Sequence, residues 1–201
     1  MKSPWQGTIV GIWYDTHPHW VVDYGCYAVT LRCRGSLPVS TRKQLLEIGR
    51  TLRTIEPASP QAEALRRRHF RILENTLDAG QGPLPFTGPA AAEMHQWIAG
   101  YNHENLTFAH WVIMPNHLHL LTSPRAFEDT EGFQTTWRRF KGRSSRFVNQ
   151  VIDRNGPLWQ DSLYDRWVRD EAEYKRWIDY IRKNPVRARL ATEPAGYAYL
   201  R

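Results

Sequence analysis

The chain has 201 residues, of which 41% are hydrophobic, 12% aromatic and 23% charged. This composition excludes a disordered, collagen-like or repetitive chain and predicts a single globular domain over residues 1–201. The net charge of +7 is uneven: residues 131–201 carry +6, residues 1–130 carry +1, and 22 of the 27 cationic side chains are arginine. Arginine binds phosphate oxygens, which favours an anionic partner, although arginine-rich proteins of GC-rich genomes show the same bias without a function.

Residues 1–24 are interpreted as an extended lead-in or an extra strand. Their apolar stretch, residues 9–14, is far shorter than the roughly 20 residues of a membrane span, and it is also too short for a signal peptide. We therefore expect a soluble, cytoplasmic protein with no membrane partner.

The first clear strand covers residues 27–33, where apolar and polar side chains alternate with the period of a half-buried strand until Gly35 ends it. Cys26 and Cys33 are the only cysteines and are too few for a disulfide framework. Two reduced, partly buried thiols are expected.

A helical block over residues 36–102 follows this strand. Its first helix is predicted to be capped by Ser40 or Thr41, and the others are predicted over residues 62–77 and 89–101, with Pro/Gly connectors between them. We expect the block to cover one face of a sheet.

The region after the block is the most strand-like part of the chain. Residues 107–114 and 117–122 are predicted to form a hairpin, because Pro115-Asn116 between them favours a turn. A helix over residues 133–152, an extended segment over residues 158–168 and a last helix from Asp170 complete the chain. This irregular order favours an α+β fold over a doubly wound parallel sheet.

His117-Leu118-His119 is the first candidate for chemistry. On a strand, residues i and i+2 point to the same face about 6 to 7 Å apart, so both imidazoles can converge on one metal ion. For an isolated pair, two hydrogen-bonded histidines are the more common explanation. His17-Pro18-His19 has the same spacing, and nothing around it in the sequence indicates a site.

The last helix carries the second candidate. An apolar stripe that begins at Tyr174 must face the core, and at ~100° per residue Tyr180 and Asn184 both fall at its edge, one turn apart. A hydroxyl and an amide can reach a cleft from there. The alternative is a half-buried tyrosine and an asparagine that ends the helix before Pro185.

The third candidate is a run of cations without an acid between residues 132 and 152. A solvated helix normally mixes charges at i, i+4, so this run favours contact with phosphates over ordinary solubilisation. Its members are Arg138, Arg139, Lys141, Arg143 and Arg146.

Together these segments resemble the REP-associated tyrosine transposases, a branch of the single-tyrosine HUH transposases. The similar motifs are Y-A-V-T-L-R, F-R-I-L-E-N-T-L-D-A-G-Q-G-P, W-V-I-M-P-N-H-L-H-L-L, W-R-R-F-K-G, G-P-L-W-Q-D-S-L-Y-D-R-W-V-R-D and Y-I-R-K-N-P-V-R-A-R-L. The resemblance covers about residues 27–190. The order W-V-I-M-P-N-H-x-H, then W-Q, then Y-I-x-x-N-P-V is its most specific part.

The resemblance implies a ferredoxin-like antiparallel sheet with packed helices, the HUH fold, plus a helical insertion after the first strand. Residues 106–190 would form the catalytic core, with the helical block outside it. The family usually has glycine at the position of Arg189, so the chain reversal there is in question, and residues 191–201 are shorter than the family's usual C-terminal extension.

The resemblance also implies the site residues. His117, His119 and Asn184 would bind Mg²⁺ or Mn²⁺, and Tyr180 would be the nucleophile. The basic helix would hold the DNA backbone in one face built around Tyr180, together with Arg169, Arg182, Lys183 and Arg187.

The implied activity is metal-dependent cleavage and strand transfer of single-stranded DNA, such as REP-type hairpins, through a 5′-phosphotyrosine. Two alternatives stay open: a non-cleaving regulator that binds hairpin DNA, and a metal nuclease that uses water as nucleophile. The implied setting is a bacterial nucleoid, with the protein acting as a monomer or a homodimer.

Overall fold

The computed structural model describes residues 2–15, 17–104 and 106–201. Its centre is an antiparallel sheet of five strands: β3 (Tyr24–Arg32), β4 (Phe108–Met114), β5 (His117–Thr122), the short β6 (Arg125–Ala126) and β7 (Tyr164–Val168). The lead-in forms a separate antiparallel hairpin of β1 (Ile9–Tyr14) and β2 (Pro18–Val22).

The four longer strands of the sheet lie in the order β4-β5-β3-β7, and β3 pairs with both β5 and β7. The predicted hairpin of β4 and β5 is confirmed, with Pro115-Asn116 as its turn. Helices connect β3 to β4 and β5 to β7. This connection pattern and strand order are those of a ferredoxin-like fold, so the predicted α+β class is confirmed.

Five helices occur in the described part of the chain: α1 (Val39–Leu52), α2 (Pro60–Asp78), α3 (Pro89–Ala99), α4 (Thr130–Val151) and α5 (Glu171–Arg187). The predicted insertion after the first strand is confirmed, because α1, α2 and α3 all lie between β3 and β4. None of the helices in these described ranges combines the length and hydropathy of a membrane span.

The sheet separates two apolar layers. On one face, α3 and α4 pack together over a core that includes Trp111, Trp137 and Phe140. On the other face, α5 packs through Ile181 against residues of β3, β4 and β5. α2 lies beside α5, where the ring of Phe70 on α2 packs against aromatic side chains of α5.

The first helix begins two or three residues earlier than predicted. α1 starts at Val39 after Pro38, and no side chain caps it, so the prediction of a Ser40 or Thr41 cap is wrong. Pro38 is already held in an extended conformation, with φ −57° and ψ 155°, and this ends the preceding segment without a side-chain cap. The thiols of Cys26 and Cys33 are free and buried, as expected.

The last helix continues past Asn184. α5 runs through Pro185 to Arg187, so the alternative in which Asn184 ends the helix is wrong. The chain then reverses at Arg189, which has a φ of +59° in the left-handed region. Arginine therefore takes a conformation that glycine adopts without strain, at a cost of about 1 kcal/mol.

Candidate active site

The two histidines of β5 lie at the centre of the sheet, on the face that α5 covers. Strand alternation sends Leu118 and Leu120 into the opposite core. β3 places Thr30 directly beside His119. Both histidines are buried, with 0% and 2% of His117 and His119 exposed.

Neighbouring side chains hold both rings. His117 Nδ1 lies 2.6 Å from Asn116 Oδ1, and His119 Nδ1 lies 2.9 Å from Thr30 Oγ1. The remaining nitrogens, both Nε2, face each other 3.0 Å apart. Burial, followed by the neighbouring His119, lowers the pKa of His117 well below its usual value, so this imidazole is neutral and its Nε2 can bind a metal.

Asn184 reaches the same point from α5. The side chain is fully buried, and its Nδ2 lies 3.1 Å from His119 Nε2. Its Oδ1 is buried and has no hydrogen-bond partner among the described residues. A buried amide oxygen without a partner is costly, and a metal ion beside the histidines would satisfy it.

Tyr180 stands one turn before Asn184 and is half-buried. Its ring meets the ring of His119 edge-on, with centroids 5.2 Å apart. The guanidinium of Arg187 lies 5.0 Å from the Tyr180 ring centroid and is 3.1 Å from the carboxylate of Asp78. The structure thus brings together all four residues of the predicted metal and nucleophile set.

Glu74 was not predicted, and it is the closest carboxylate to the nucleophile. It lies on α2 with 2% exposure, accepts a short hydrogen bond from the Tyr180 hydroxyl, and places Oε2 3.2 Å from His119 Nε2. The expectation that the helical block lies outside the catalytic core is therefore wrong, because α2 packs against α5. The only signal in the sequence is an acidic residue beside Leu73 and Leu77, on the apolar side of α2.

The donor set fits a divalent ion. Ligand atoms of Glu74, His117 and His119 all lie within 4.8 Å of one another, and all three side chains are buried. Two imidazoles and a carboxylate or amide oxygen form a mixed nitrogen and oxygen set, which suits Mn²⁺ and related metals. This buried group can therefore hold a metal ion.

The predicted basic residues do not form one face around Tyr180. Arg138, Arg139, Lys141, Arg143 and Arg146 lie on α4, on the opposite side of the sheet from α5. Packing of Trp137 and Phe140 against the other core determines this position, which the charge pattern does not encode. Among the α4 cations, Arg139 pairs with Glu104, and Lys141 hydrogen-bonds carbonyls just before β7.

The other predicted basic residues lie on α5 or just before it. Arg169 lies in the connection between β7 and α5, and Arg182 and Lys183 are exposed on α5. Arg187 contacts the Tyr180 ring itself. Arg187 thus borders the site on the face where the nucleophile lies, whereas Arg169 lines a cavity beside His17 and His69.

The second histidine pair also has surroundings that the sequence did not indicate. His17 and His19 are buried beside Asp15, Asp165 and His69. The interpretation that nothing near this pair indicates a site is wrong, because Asp165 and His69 come from distant parts of the chain and meet it only in the fold.

Comparison with known proteins agrees with this fold. A REP-associated tyrosine transposase of Escherichia coli (strain K12) is 31% identical over 78 residues, which are 38% of this chain and 42% of that protein. A solved structure of the REP-associated tyrosine transposase bound to a REP hairpin aligns with a TM-score of 0.50 and 13% identity, over 88% of this chain and 75% of that chain. The chain resembles the REP-associated tyrosine transposases in sequence and shares their fold.

The likeness to REP-associated tyrosine transposases is uneven along the chain. The curated match covers less than half the length of that relative, whereas the structural match covers most of both chains. No protein-family model matches the chain. The predicted cytoplasmic location and the monomer or homodimer state stay predictions.

Proposed function

We propose that this chain cleaves and rejoins single-stranded DNA by a metal-dependent transesterification, with Tyr180 as nucleophile and hairpin DNA of the REP type as substrate. The observation that carries the proposal is the convergence of Tyr180, two inward-facing imidazole nitrogens and a buried carboxylate at one point of the sheet. A site built only for stability has no need of a half-buried tyrosine beside two such nitrogens.

The metal would be held by His117, His119 and Asn184, the residues predicted for it. When bound, a divalent ion supplies Lewis acidity at a non-bridging oxygen of the scissile phosphate. Asn116 and Thr30 keep the two imidazoles oriented. This second layer of hydrogen bonds is what metal-binding histidines generally require.

Glu74 would take the proton from the nucleophile. A free tyrosine hydroxyl ionises near pH ~10, so attack at neutral pH needs a proton acceptor within hydrogen-bond reach. The Tyr180 hydroxyl already donates to Glu74. As the tyrosine oxygen forms its bond to phosphorus, the bond to the 3′ oxygen breaks, and that oxygen leaves as a hydroxyl after it takes up a proton.

DNA would be held by the basic side chains that border Tyr180 and by a groove on the far side. Arg187 would contact the backbone next to the scissile phosphate, and the exposed Arg169, Arg182 and Lys183 would contact it farther along the strand. A groove of about 790 Å³ lies between α4 and the segment before β7, and Trp13, Arg138 and Lys141 are among its lining residues. Cations next to an aromatic side chain suit single strands and hairpin loops.

A covalent adduct tests the proposal. The protein is incubated with labelled single strands that carry a REP-type hairpin and Mn²⁺, then denatured and separated by size. Wild type should give a denaturation-resistant adduct and Tyr180→Phe none, while the control Tyr14→Phe, at an exposed tyrosine, behaves as wild type. Cleavage without an adduct would establish the water-dependent nuclease, and binding without cleavage the regulator; both contradict the proposal.

A second variant tests the proton acceptor. Glu74→Gln keeps the shape of the side chain but removes its charge, and it should slow adduct formation by about 10²-fold or more at unchanged hairpin affinity. The control is Glu47→Gln, at an exposed position of α1. An unchanged rate in Glu74→Gln would assign the proton to another group.

A further inference from the structure

The second histidine cluster joins four segments of the chain. Its members are Asp15 after β1, His17 and His19 at the start of β2, His69 on α2 and Asp165 on β7. The side chains of His17, His19 and Asp165 are 4%, 0% and 1% exposed, and His69 is 3% exposed. The proposed DNA chemistry uses none of them.

The orientation of His19 matches that of a metal ligand with an outer carboxylate. His19 Nδ1 contacts Asp165 Oδ1 in a short hydrogen bond, and this leaves Nε2 facing Asp15 Oδ1 at 2.8 Å. A carboxylate behind a ligating imidazole is the usual second layer of a zinc site, where it fixes the ring and its tautomer.

The donor atoms have suitable spacing. Two ligands about 2.1 Å from a tetrahedral ion lie roughly 3.4 Å apart. His17 Nδ1 is 3.8 Å and His19 Nε2 2.8 Å from the same oxygen of Asp15, so the observed values bracket that distance. Ligand atoms of Asp15, His17 and His19 all lie within 4.8 Å of one another.

Three buried polar atoms in the cluster lack a hydrogen-bond partner. Among the described residues, no hydrogen bond reaches either ring nitrogen of His69 or Oδ2 of Asp165. The His69 ring centroid is 5.4 Å from that of His17, and a cavity of about 30 Å³ is bounded by His17, His69 and Asp165. A cavity of this size admits a water molecule or an ion. Unpaired polar groups at such a depth are rare in proteins unless a ligand satisfies them.

The charges of the cluster also favour a divalent cation. Two carboxylates face three imidazoles, and the nearby Arg166 is engaged by Glu63 and Glu173. Within the cluster, one protonated imidazole leaves a net charge of −1, whereas a divalent ion with three neutral imidazoles leaves zero; Arg32 of β3 also faces Asp15 and His69. Burial of uncompensated charge is strongly unfavourable.

We propose that this cluster is a second metal site, which binds Zn²⁺ or a similar transition-metal ion through Asp15, His17 and His19, with His69 turning in from its place beside His17 as the fourth ligand and Asp165 as the outer carboxylate. An imidazole-rich set of four ligands is typical of structural zinc and unlike the oxygen ligands of Mg²⁺. The ion would fasten the β1–β2 hairpin to α2, the helix that carries Glu74. The site is independent of the proposed DNA chemistry.

Metal content per chain tests the proposal. Metal-free protein is loaded with Zn²⁺, passed through a desalting column and analysed by inductively coupled plasma mass spectrometry. We expect two ions per chain in wild type, one in His69→Gln and one in the double variant His117→Ala/His119→Ala. The control His103→Gln, at an exposed histidine, should keep two. Two ions in His69→Gln, or none in the double variant, would overturn the proposal.

A second measurement does not depend on any variant. In wild type, titration with Zn²⁺ should shift the imidazole nitrogen resonances of His17, His19 and His69 in nitrogen-15 NMR spectra, in addition to those of the first pair. Shifts confined to His117 and His119 would overturn the proposal even if every variant folds poorly.

Discussion

The two H-x-H pairs of this chain have the same spacing, and the fold puts them to different uses. His117 and His119 are held by the neutral side chains of Asn116 and Thr30, and their Nε2 atoms face each other, with Tyr180 and Glu74 beside His119. His19 instead contacts two carboxylates through its two ring nitrogens, so the negative charges in that cluster outnumber the one charge His19 can carry.

Protonation sharpens this difference. Burial lowers the pKa of His19, but the charge of Asp165 and the hydrogen bonds that His19 donates to both carboxylates outweigh it and raise the pKa to about 9. Burial lowers the pKa of His117 and leaves it neutral. Pairs of equal spacing therefore differ: His117 is neutral and can bind a metal ion, whereas His19 carries a proton and joins segments of the fold through its carboxylate partners. The pair beside a nucleophile is the one suited to catalysis.

The largest expected effect separates the pairs by activity. His119→Ala removes a metal ligand and should lower the rate of adduct formation by about 10³-fold or more, because the site then lacks one of the groups that act as a unit. His19→Ala should leave the rate per folded molecule within a few-fold of wild type. Gel quantification of the covalent adduct checks both. Equal losses in the two variants would contradict the division of roles.

The next effect separates the pairs by stability. His19→Ala leaves the buried carboxylate of Asp165 without its partner and should lower the free energy of unfolding by about 3 kcal/mol. Urea unfolding followed by circular dichroism measures this loss. His119→Ala serves as the reference and should lose less, since Glu74, the carboxylate beside His119, keeps its hydrogen bond from the Tyr180 hydroxyl. A smaller loss in His19→Ala than in His119→Ala would reverse the comparison.

A substitution of Thr30 tests whether the first histidine pair needs its uncharged hydrogen-bond partners. Thr30→Val keeps the shape of the side chain but removes the hydroxyl beside His119 Nδ1, and it should weaken Mn²⁺ binding at this site by 10- to 100-fold. Isothermal titration with Mn²⁺ gives the dissociation constant. The matched control is Thr51→Val, at an exposed position of α1. Unchanged affinity in Thr30→Val would show that the ring needs no such support.

The smallest effect lies outside both pairs. Arg189→Gly removes the strain of a φ of +59° and should raise the free energy of unfolding by about 1 kcal/mol, less the entropy that glycine adds to the unfolded chain. Metal content and adduct rate should stay as in wild type. Thermal unfolding and the adduct assay together check this, and a loss of stability would show that the arginine side chain makes a compensating contact.

Much of the first site was predictable because its geometry is local. Alternation along β5 put His117 and His119 on one face, and the helical repeat put Tyr180 and Asn184 on one side of α5. The hairpin turn at Pro115-Asn116 followed from the conformational limits of proline. The likeness to a known family then assigned these two local patterns to one site.

The sequence by itself determined the class of fold, the paired histidines and the tyrosine helix, since each depends on neighbours within a few residues. Only the tertiary structure decided that Glu74 meets Tyr180 across 106 residues, that Asp165 meets His19 across 146, and that α4 lies on the other face of the sheet. The physical reason is that such contacts depend on which apolar faces pack together, and composition and periodicity do not specify which faces meet.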